Sequence, residues 1–338
     1  MPALDHLHQP TAKIIILCDL LMKNIILLLI FSISPAIAQN QEGEGFAIID
    51  GVRINYSIKG NGPAMIVGHP TSGKVGYEIS LQPLENRFTM IYYDPRGTGR
   101  SETPQTAQEY ADERLVGEIE GLRNYFKIDK IWLFGHSDQS AIALQYALKF
   151  PNNVSGMVLS GTGYVGSYAE MLLHRQSFEQ QRKQESDWFR QVVKDWDYMI
   201  SKQTVIDSTG RDLSTAPVKW WCYSDETSQK VIPIAISVTA AGKRRIARDG
   251  SVLSAEDHTK QIADYVLKER QFSQINCHIL IVNGKFDTNN PKEKVEKLHR
   301  ILFRSKLLII DKAGHFPWIE QQEAFYAETD KWLNSIKR

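Results

Sequence analysis

Short apolar runs recur along the chain and alternate with stretches of helical periodicity. At the start of this pattern, Phe46–Ile49 and Val52–Tyr56 flank the pair Asp50-Gly51. The pair predicts a tight hairpin, because the favoured two-residue turns need positive φ. Six further runs have strand length: Ala64–Val67, Phe88–Tyr93, Ile131–Phe134, Val154–Leu159, Ile279–Val282 and Leu307–Ile310. Such runs are apolar on both faces of the strand, and helical stretches separate them. This pattern predicts an α/β fold with a mostly parallel central sheet.

The segments between the runs predict helices that flank this sheet. One segment carries a single apolar stripe at helical spacing, formed by Leu115, Ile119, Leu122 and Phe126. Such a stripe is typical of a helix that packs on a sheet. Further helices are predicted over Ala141–Phe150, after Pro291 and over roughly Gln321–Ile336.

The interval 162–271 differs from the rest of the chain. Its only β-branched run of strand length is Val231–Val238. It also holds four of the seven tryptophans, namely Trp188, Trp196, Trp220 and Trp221. We interpret this interval as a mainly helical cap, inserted between a first core part at 43–161 and a second at 272–338. Two or three of its tryptophans are expected to form a small core of the cap itself.

Composition narrows the class of protein. The 338 residues carry a formal net charge of +1, with 42% hydrophobic and 10% aromatic residues, which is typical of globular proteins. A nearly neutral chain lacks the clustered positive charge that nucleic-acid binding needs, so no nucleic-acid partner is expected. Cys222 and Cys277 have no cysteine or histidine at metal-ligand spacing, so no metal site is expected. Whether these two thiols pair is left open.

The N-terminus has the pattern of a secretory signal peptide. Met22 and the lysine after it begin the pattern, Ile25–Phe31 forms an uncharged apolar core, and Ala36 and Ala38 precede a cleavage site. Residues 1–38 are therefore interpreted as an extension and a signal peptide, with Met22 as the preferred start. The mature chain would begin near Gln39, and the protein is expected to be periplasmic or secreted.

An uncleaved membrane anchor over Ile14–Ile37 is the rival interpretation. The apolar core after Met22 is shorter than the roughly 20 residues that a spanning helix needs. Asp19, Lys23 and Asn24 would also be costly inside a membrane. We therefore expect no stable membrane insertion after the signal is cleaved.

A serine stands where a buried strand runs directly into a helix. The sequence there is Gly135-His136-Ser137-Asp138-Gln139, between the run at 131–134 and the predicted helix at 141–150. A serine at such a turn projects its hydroxyl above the sheet edge, close to the free N–H groups of the helix N-terminus. The segment resembles the nucleophile elbow of the α/β-hydrolase family. It departs from the family pattern at Gln139, where glycine is usual.

Two further residues supply the partners that a serine nucleophile needs. Asp287 follows the run Ile279–Val282, and His315 follows the run that ends at Ile310. Singly, the aspartate could be a loop cap and the histidine a loop residue. Together they follow Ser137 in the Ser, Asp, His order of α/β-hydrolase triads, each just after a strand, where parallel sheets place their sites. The expected roles are nucleophile for Ser137, base for His315 and orienting acid for Asp287.

The resemblance also implies an oxyanion hole. His69-Pro70-Thr71 follows the strand that carries the oxyanion loop in this family. By resemblance, the backbone N–H groups of Thr71 and Asp138 would hold the oxyanion. Pro70 replaces the usual glycine and has no N–H of its own. Asp138 as nucleophile, in the manner of dehalogenase-like relatives, is disfavoured because their aspartate occupies the position of Ser137.

Within the superfamily, the chain resembles the proline iminopeptidase-like group. The run Asp94-Pro-Arg96-Gly-Thr-Gly-Arg-Ser101, the position of the cap and Gly-His-Phe near the end carry this resemblance. Asp94 and Arg96 are expected to brace their turn by hydrogen bonds. In that group cap carboxylates bind the free amino terminus of the substrate. The sequence does not select among the possible counterparts Glu170, Glu185, Asp225 and Glu226.

Three functions remain open at this level. The first is an aminopeptidase of the proline iminopeptidase type, acting on a short peptide without a cofactor. The second is a carboxylesterase or lipase-like hydrolase of small esters. The third is a non-catalytic binding protein on the same fold, which Gln139 and Pro70 would favour. The sequence does not indicate the oligomeric state or the residues that bind the substrate.

Overall fold

A computed structural model describes residues 43–162, 168–242 and 271–336. The predicted signal peptide lies outside these residues. The described strands form one sheet: β1 (Gly43–Ile49), β2 (Val52–Lys59), β3 (Ala64–Val67), β4 (Thr89–Tyr93), β5 (Ile131–His136), β6 (Val154–Ser160), β7 (His278–Gly284) and β8 (Ser305–Ile310). Their order in the sheet is β1-β2-β4-β3-β5-β6-β7-β8. The pairs β1–β2 and β2–β4 are antiparallel, and all later pairs are parallel.

The predicted strands are confirmed, with small shifts at their ends. Asp50 and Gly51 form the predicted turn between β1 and β2, with φ values of 50° and 76°. Phe88 falls just before β4, and β5 continues past the apolar run to His136. This extension brings the sheet directly to the residue before Ser137.

Six of the described α-helices cover the two faces of the sheet, and four more lie in the predicted cap. In chain order they are α1 (Val75–Ser80), α2 (Asp112–Tyr125), α3 (Asp138–Lys149), α4 (Tyr168–Glu185), α5 (Asp187–Lys202), α6 (Ala216–Trp221), α7 (Asp225–Ala241), α8 (Lys292–Ile301), α9 (Pro317–Glu320) and α10 (Gln322–Ile336). One core cluster joins α2, α3 and α8 to one face of the sheet. A second cluster joins α1, α9 and α10 to the other face. Adjacent strand residues such as Val158 and Leu159 belong to different clusters, because strand side chains alternate between faces.

The described part of the predicted cap is mainly helical. It contains α4 to α7, with one isolated β-bridge between Ile206 and Asp212. The β-branched run Val231–Val238 lies within α7, so it is helical rather than extended. The buried centre of the cap comprises Phe189, Val192, Val193 and Trp220, against which Trp188, Trp196 and Trp221 pack.

Within the described ranges, no helix has the length and apolar character that a membrane crossing requires.

Candidate active site

Ser137 occupies a sharp turn between β5 and α3. Its backbone has φ 50° and ψ −125°, a conformation that non-glycine residues rarely adopt. Such a conformation costs about 1–3 kcal/mol and persists only where the surrounding structure enforces it. Here the Ser137 N–H donates to the Ser160 carbonyl at 3.1 Å, and the Ser140 N–H donates to the Ser137 carbonyl at 2.9 Å. The side chain of Ser137 is only half-buried, so its hydroxyl can meet a substrate.

The turn accommodates Gln139, the departure from the family pattern. Gln139 is only 3% exposed and lies beside the Tyr93 phenol. Burial and nearby Glu118 raise the pKa of Tyr93, and the Gln139 side chain opposes part of that rise. The close approach of strand and helix instead falls at the next residue, because a Cβ on Gly135 would lie 2.8 Å from the Ser140 Cα. The glutamine therefore packs inward instead of blocking the turn.

Asp287 and His315 form a buried pair. The His315 Nδ1 and the Asp287 Oδ2 are 2.9 Å apart. The Asp287 Oδ1 accepts the backbone N–H groups of Asn289 and Asn290 at 2.9 and 3.0 Å. Burial alone would raise the pKa of Asp287, but His315 and these N–H groups outweigh it and hold the pKa below its usual value. The acid is thus kept ionised, as a group that orients an imidazole must be.

The end of β6 lies between Ser137 and this pair. Ser160 binds the Ser137 N–H, and a Cβ on the next residue, Gly161, would lie 2.9 Å from the His315 Nδ1. The Gly161 carbonyl accepts a hydrogen bond from the Asn290 side chain at 2.7 Å. The ends of β5, β6, β7 and β8 therefore converge, and the three predicted site residues lie around one sheet edge.

The segment His69–Gly73 forms a tight loop before α1. The N–H of His69 donates to the Gly73 carbonyl at 3.2 Å, and the reverse bond measures 2.9 Å. The Thr71 N–H, predicted as an oxyanion donor, donates to the His69 Nδ1 at a long 3.3 Å. Asp138, the source of the second predicted donor, is the first residue of α3, where the helix dipole favours negative charge.

His136 is a site residue that the sequence alone did not single out. Its Nδ1 is 2.9 Å from the Tyr77 hydroxyl, and its Nε2 is 3.2 Å from the main-chain carbonyl of His315. Burial, then the neighbouring His315 and His69, lower the pKa of His136 well below its usual value. The neutral ring must carry its proton on Nε2, because only that tautomer can donate to a carbonyl. Its place between the elbow glycine and serine is the one signal that could have found it.

Asp94 and Arg96 have separate partners. The Asp94 carboxylate accepts the Lys74 N–H at 2.9 Å and the Arg100 N–H at 3.0 Å, so it braces both its own turn and the loop that ends at Gly73. Arg96 is fully buried and instead pairs with Glu118 and Glu109, at 2.5 and 2.7 Å. The expected bracing of the turn is therefore done by the Asp94 side chain.

None of the four cap carboxylates stands out by burial, since each is exposed: Glu170, Glu185, Asp225 and Glu226. In the described part of the chain, no group of three or more His, Cys, Asp or Glu side chains could hold a metal ion. Cys222 and Cys277 are both unpaired thiols.

Comparison with known proteins agrees with this architecture. A family model described as the alpha/beta hydrolase fold matches residues 65–196. The chain is 23% identical over 299 residues to a proline iminopeptidase of Heyndrickxia coagulans, covering 87% of this chain and 99% of that protein. It is 26% identical over 302 residues to a proline iminopeptidase of Saccharolobus solfataricus, covering 87% and 91%.

Solved structures show the same fold. A thermophilic esterase from Thermogutta terrifontis superposes with a TM-score of 0.58 at 19% identity, covering 87% of this chain and 99% of that one. The sheet, the family match and these relatives lead to one conclusion: the chain is an enzyme of the α/β-hydrolase fold, a hydrolase similar in sequence to proline iminopeptidases.

Proposed function

We propose that this protein is a serine hydrolase that cleaves an amide or an ester through an acyl-enzyme. The observation that carries the proposal is the buried pair of Asp287 and His315, bonded at 2.9 Å beside the strained turn of Ser137. His315 removes the hydroxyl proton as Ser137 attacks the substrate carbonyl, and Asp287 stabilises the imidazolium that forms. The same imidazolium then protonates the leaving group.

Water completes the reaction. It attacks the acyl-enzyme with His315 again as base, which releases the acid product and restores Ser137. The backbone N–H groups of Thr71 and Asp138 hold the oxyanion in both steps. A single donor of this kind contributes about 3–4 kcal/mol in comparable hydrolases.

The substrate we propose is a short peptide with a free amino terminus, cleaved after its first residue. Support comes from the two proline iminopeptidases, since the alignments span most of their length as well as most of this chain. A panel of aminoacyl arylamides, with proline arylamide first, tests this specificity against short acyl esters. Preference for an ester by kcat/KM would favour the carboxylesterase alternative, which the structural likeness to an esterase supports.

A fluorophosphonate probe tests the nucleophile. We expect stoichiometric labelling of the wild type, no labelling of Ser137→Ala, and full labelling of Ser201→Ala, which removes an exposed cap hydroxyl. Labelling of Ser137→Ala would overturn the assignment. A wild type that neither reacts with the probe nor turns over any substrate of the panel would support the non-catalytic alternative.

We also propose export, on the signal-peptide pattern of residues 22–38. N-terminal sequencing of the protein after expression in a bacterial host checks it. The expected mature start is Gln39, and an unprocessed chain in the cytoplasm would contradict it.

A further inference from the structure

One cap segment, the cap bridge at residues 221–223, contacts the loops that carry both Asp287 and His315. The His315 N–H donates to the Trp221 carbonyl at 2.8 Å. The approach is so close that a Cβ on Gly314 would collide with the same carbonyl oxygen. The Trp221 ring lies 6.0 Å from the His315 ring. The cap therefore touches the histidine loop through its backbone as well as its side chains.

Glu320 joins the cap bridge to the histidine loop. One carboxylate oxygen accepts the N–H groups of Gly314 and Phe316, at 2.9 and 3.2 Å. The other accepts the Tyr223 N–H at 2.8 Å and the Thr227 hydroxyl at 2.9 Å. The side chain is fully buried.

Three of the four donors are backbone N–H groups, which favour the ionised carboxylate. Burial raises the pKa of Glu320, and the same hydrogen-bond donors oppose that rise. A buried charge is costly unless it is fully hydrogen-bonded, so this arrangement depends on all of its contacts.

Arg182 joins the cap bridge to the aspartate loop. Its Nη1 donates to the Thr288 hydroxyl at 2.7 Å and to the Phe286 carbonyl at 3.2 Å, on either side of Asp287. Its Nη2 donates to the carbonyls of Cys222 and Tyr223, at 2.9 and 3.1 Å. Arg182 is only 3% exposed. Arg182 and Glu320 thus both bind the backbone of the same short segment of the cap.

We propose that Arg182 and Glu320 are positioning residues, which use the cap bridge to hold the Asp287 and His315 loops at hydrogen-bonding distance. The inference rests on the proposed function, since it assigns these residues to the same reaction. Both loops reach the cap bridge through buried, charged hydrogen bonds, and such bonds are stronger than neutral ones. The cap bridge thereby contributes to the geometry of the proposed triad.

Glu320→Gln in the full chain tests the proposal. The amide has one acceptor oxygen, and its NH2 group would face donors that it cannot satisfy. We expect the rate constant of fluorophosphonate labelling to fall up to about 100-fold, since small misplacements of reacting groups have effects of this size. With the preferred substrate of the panel, kcat should fall more than KM changes. Glu323→Gln, an exposed glutamate on α10, is the matched control and should label at the wild-type rate.

The labelling time course separates positioning from a merely structural role. If Glu320 positions the two loops, the fraction of Glu320→Gln that labels does so with a lowered rate constant. A purely structural role would lower the fraction of protein that labels, while the folded fraction keeps the wild-type rate constant. That result would overturn the proposal, as would an unchanged rate in a folded Glu320→Gln.

Arg182→Lys keeps the proposal testable if Glu320→Gln does not fold. Lysine retains the charge but loses the planar fork that reaches two pairs of acceptors. We expect a loss of labelling rate in this variant and none in Arg190→Lys, a surface residue on α5. Wild-type labelling by folded Arg182→Lys would contradict the inference. Failure of the wild type itself to label would instead contradict the proposed function as a serine hydrolase.

Discussion

The His136 side chain donates a hydrogen bond to the main chain of His315: its Nε2 lies 3.2 Å from the His315 carbonyl oxygen. The Tyr77 hydroxyl binds the opposite nitrogen at 2.9 Å, so the ring is held on both sides. The residue before the proposed nucleophile therefore fixes the backbone of the proposed base. Because the ring is buried and neutral, this contact does not compete for the proton that moves during the reaction.

Replacing His136 by leucine should destabilise the fold and slow the reaction. The change leaves the Tyr77 hydroxyl and the His315 carbonyl without these partners, and each buried polar group left unpaired costs about 1–3 kcal/mol. Urea denaturation should report a lower free energy of unfolding by that order. His174→Leu, at an exposed position of α4, should leave it nearly unchanged. Equal stability of the two variants would argue against the bonding role of His136.

Replacing Ser137 by glycine should abolish turnover while stabilising the fold relative to Ser137→Ala. Alanine has a Cβ and so keeps the backbone strain at φ 50° and ψ −125°, whereas glycine adopts such angles readily. The greater entropy of glycine in the unfolded chain offsets part of this relief of strain. Ser137→Gly should therefore have a free energy of unfolding about 1 kcal/mol higher than that of Ser137→Ala. Denaturant midpoints of the two inactive variants check this difference. If the alanine variant proves the more stable, the turn is not strained as described.

Replacing Asp287 by asparagine should lower kcat by about 10⁴-fold, since an amide no longer favours the required tautomer and the imidazolium. Asn289 and Asn290 would still donate to the remaining carbonyl oxygen, so the loop should keep its conformation. Steady-state kinetics with the best substrate of the panel measures the loss. Asp311→Asn, at an exposed position before the histidine loop, should behave as wild type. A loss of less than tenfold for Asp287→Asn would remove it from the proposed triad.

Acid should destabilise the protein through its buried histidines. Burial lowers the pKa of His69 to about 4 from its usual 6.5, so between these values the unfolded chain binds the proton and the folded chain does not. Stability should therefore fall as pH drops from about 6.5 to 4, by about 3 kcal/mol for this group alone. His136 acts with the same sign.

The His69 contribution is isolated by comparing variants across this range. The raised pKa of Glu320 acts with the opposite sign, so the difference between wild type and His69→Asn is the informative quantity. Urea denaturation at several pH values should give a shallower decline for His69→Asn. The exposed His174→Asn should follow the wild type. Parallel curves for all three proteins would show that His69 titrates alike in the folded and unfolded chains.

The sheet and the order of the site residues are readable from the sequence, because both depend on local patterns. Apolar runs mark the strands, Asp50-Gly51 marks its turn, and Asp287 and His315 each follow a strand. Prediction from local pattern fails where the surrounding structure decides whether a segment is a helix or a strand. Val231–Val238 has strand-like composition, yet it continues a helix that begins at the capping box of Ser224 and Thr227.

Contacts distant in sequence leave no such pattern. Arg182 meets Thr288 across 106 positions, and Glu320 meets Tyr223 across 97. Nothing near either residue in the chain distinguishes it from a surface charge. Their burial follows from the docking of the cap, which sequence periodicity does not encode. The inward packing of Gln139 cannot be predicted for the same reason, since its neighbour Tyr93 lies on β4, distant in sequence.

The tight contact between Gly314 and the Trp221 carbonyl limits how this enzyme can be re-engineered. Caps are attractive modules for transplanting specificity between hydrolases, but a donor cap would have to bring a backbone oxygen to this same spot. Chimeras that keep residues 221–223 of this chain retain the contact. A chimera that replaces this segment has to supply a backbone carbonyl at the same position, or the His315 loop must change its conformation.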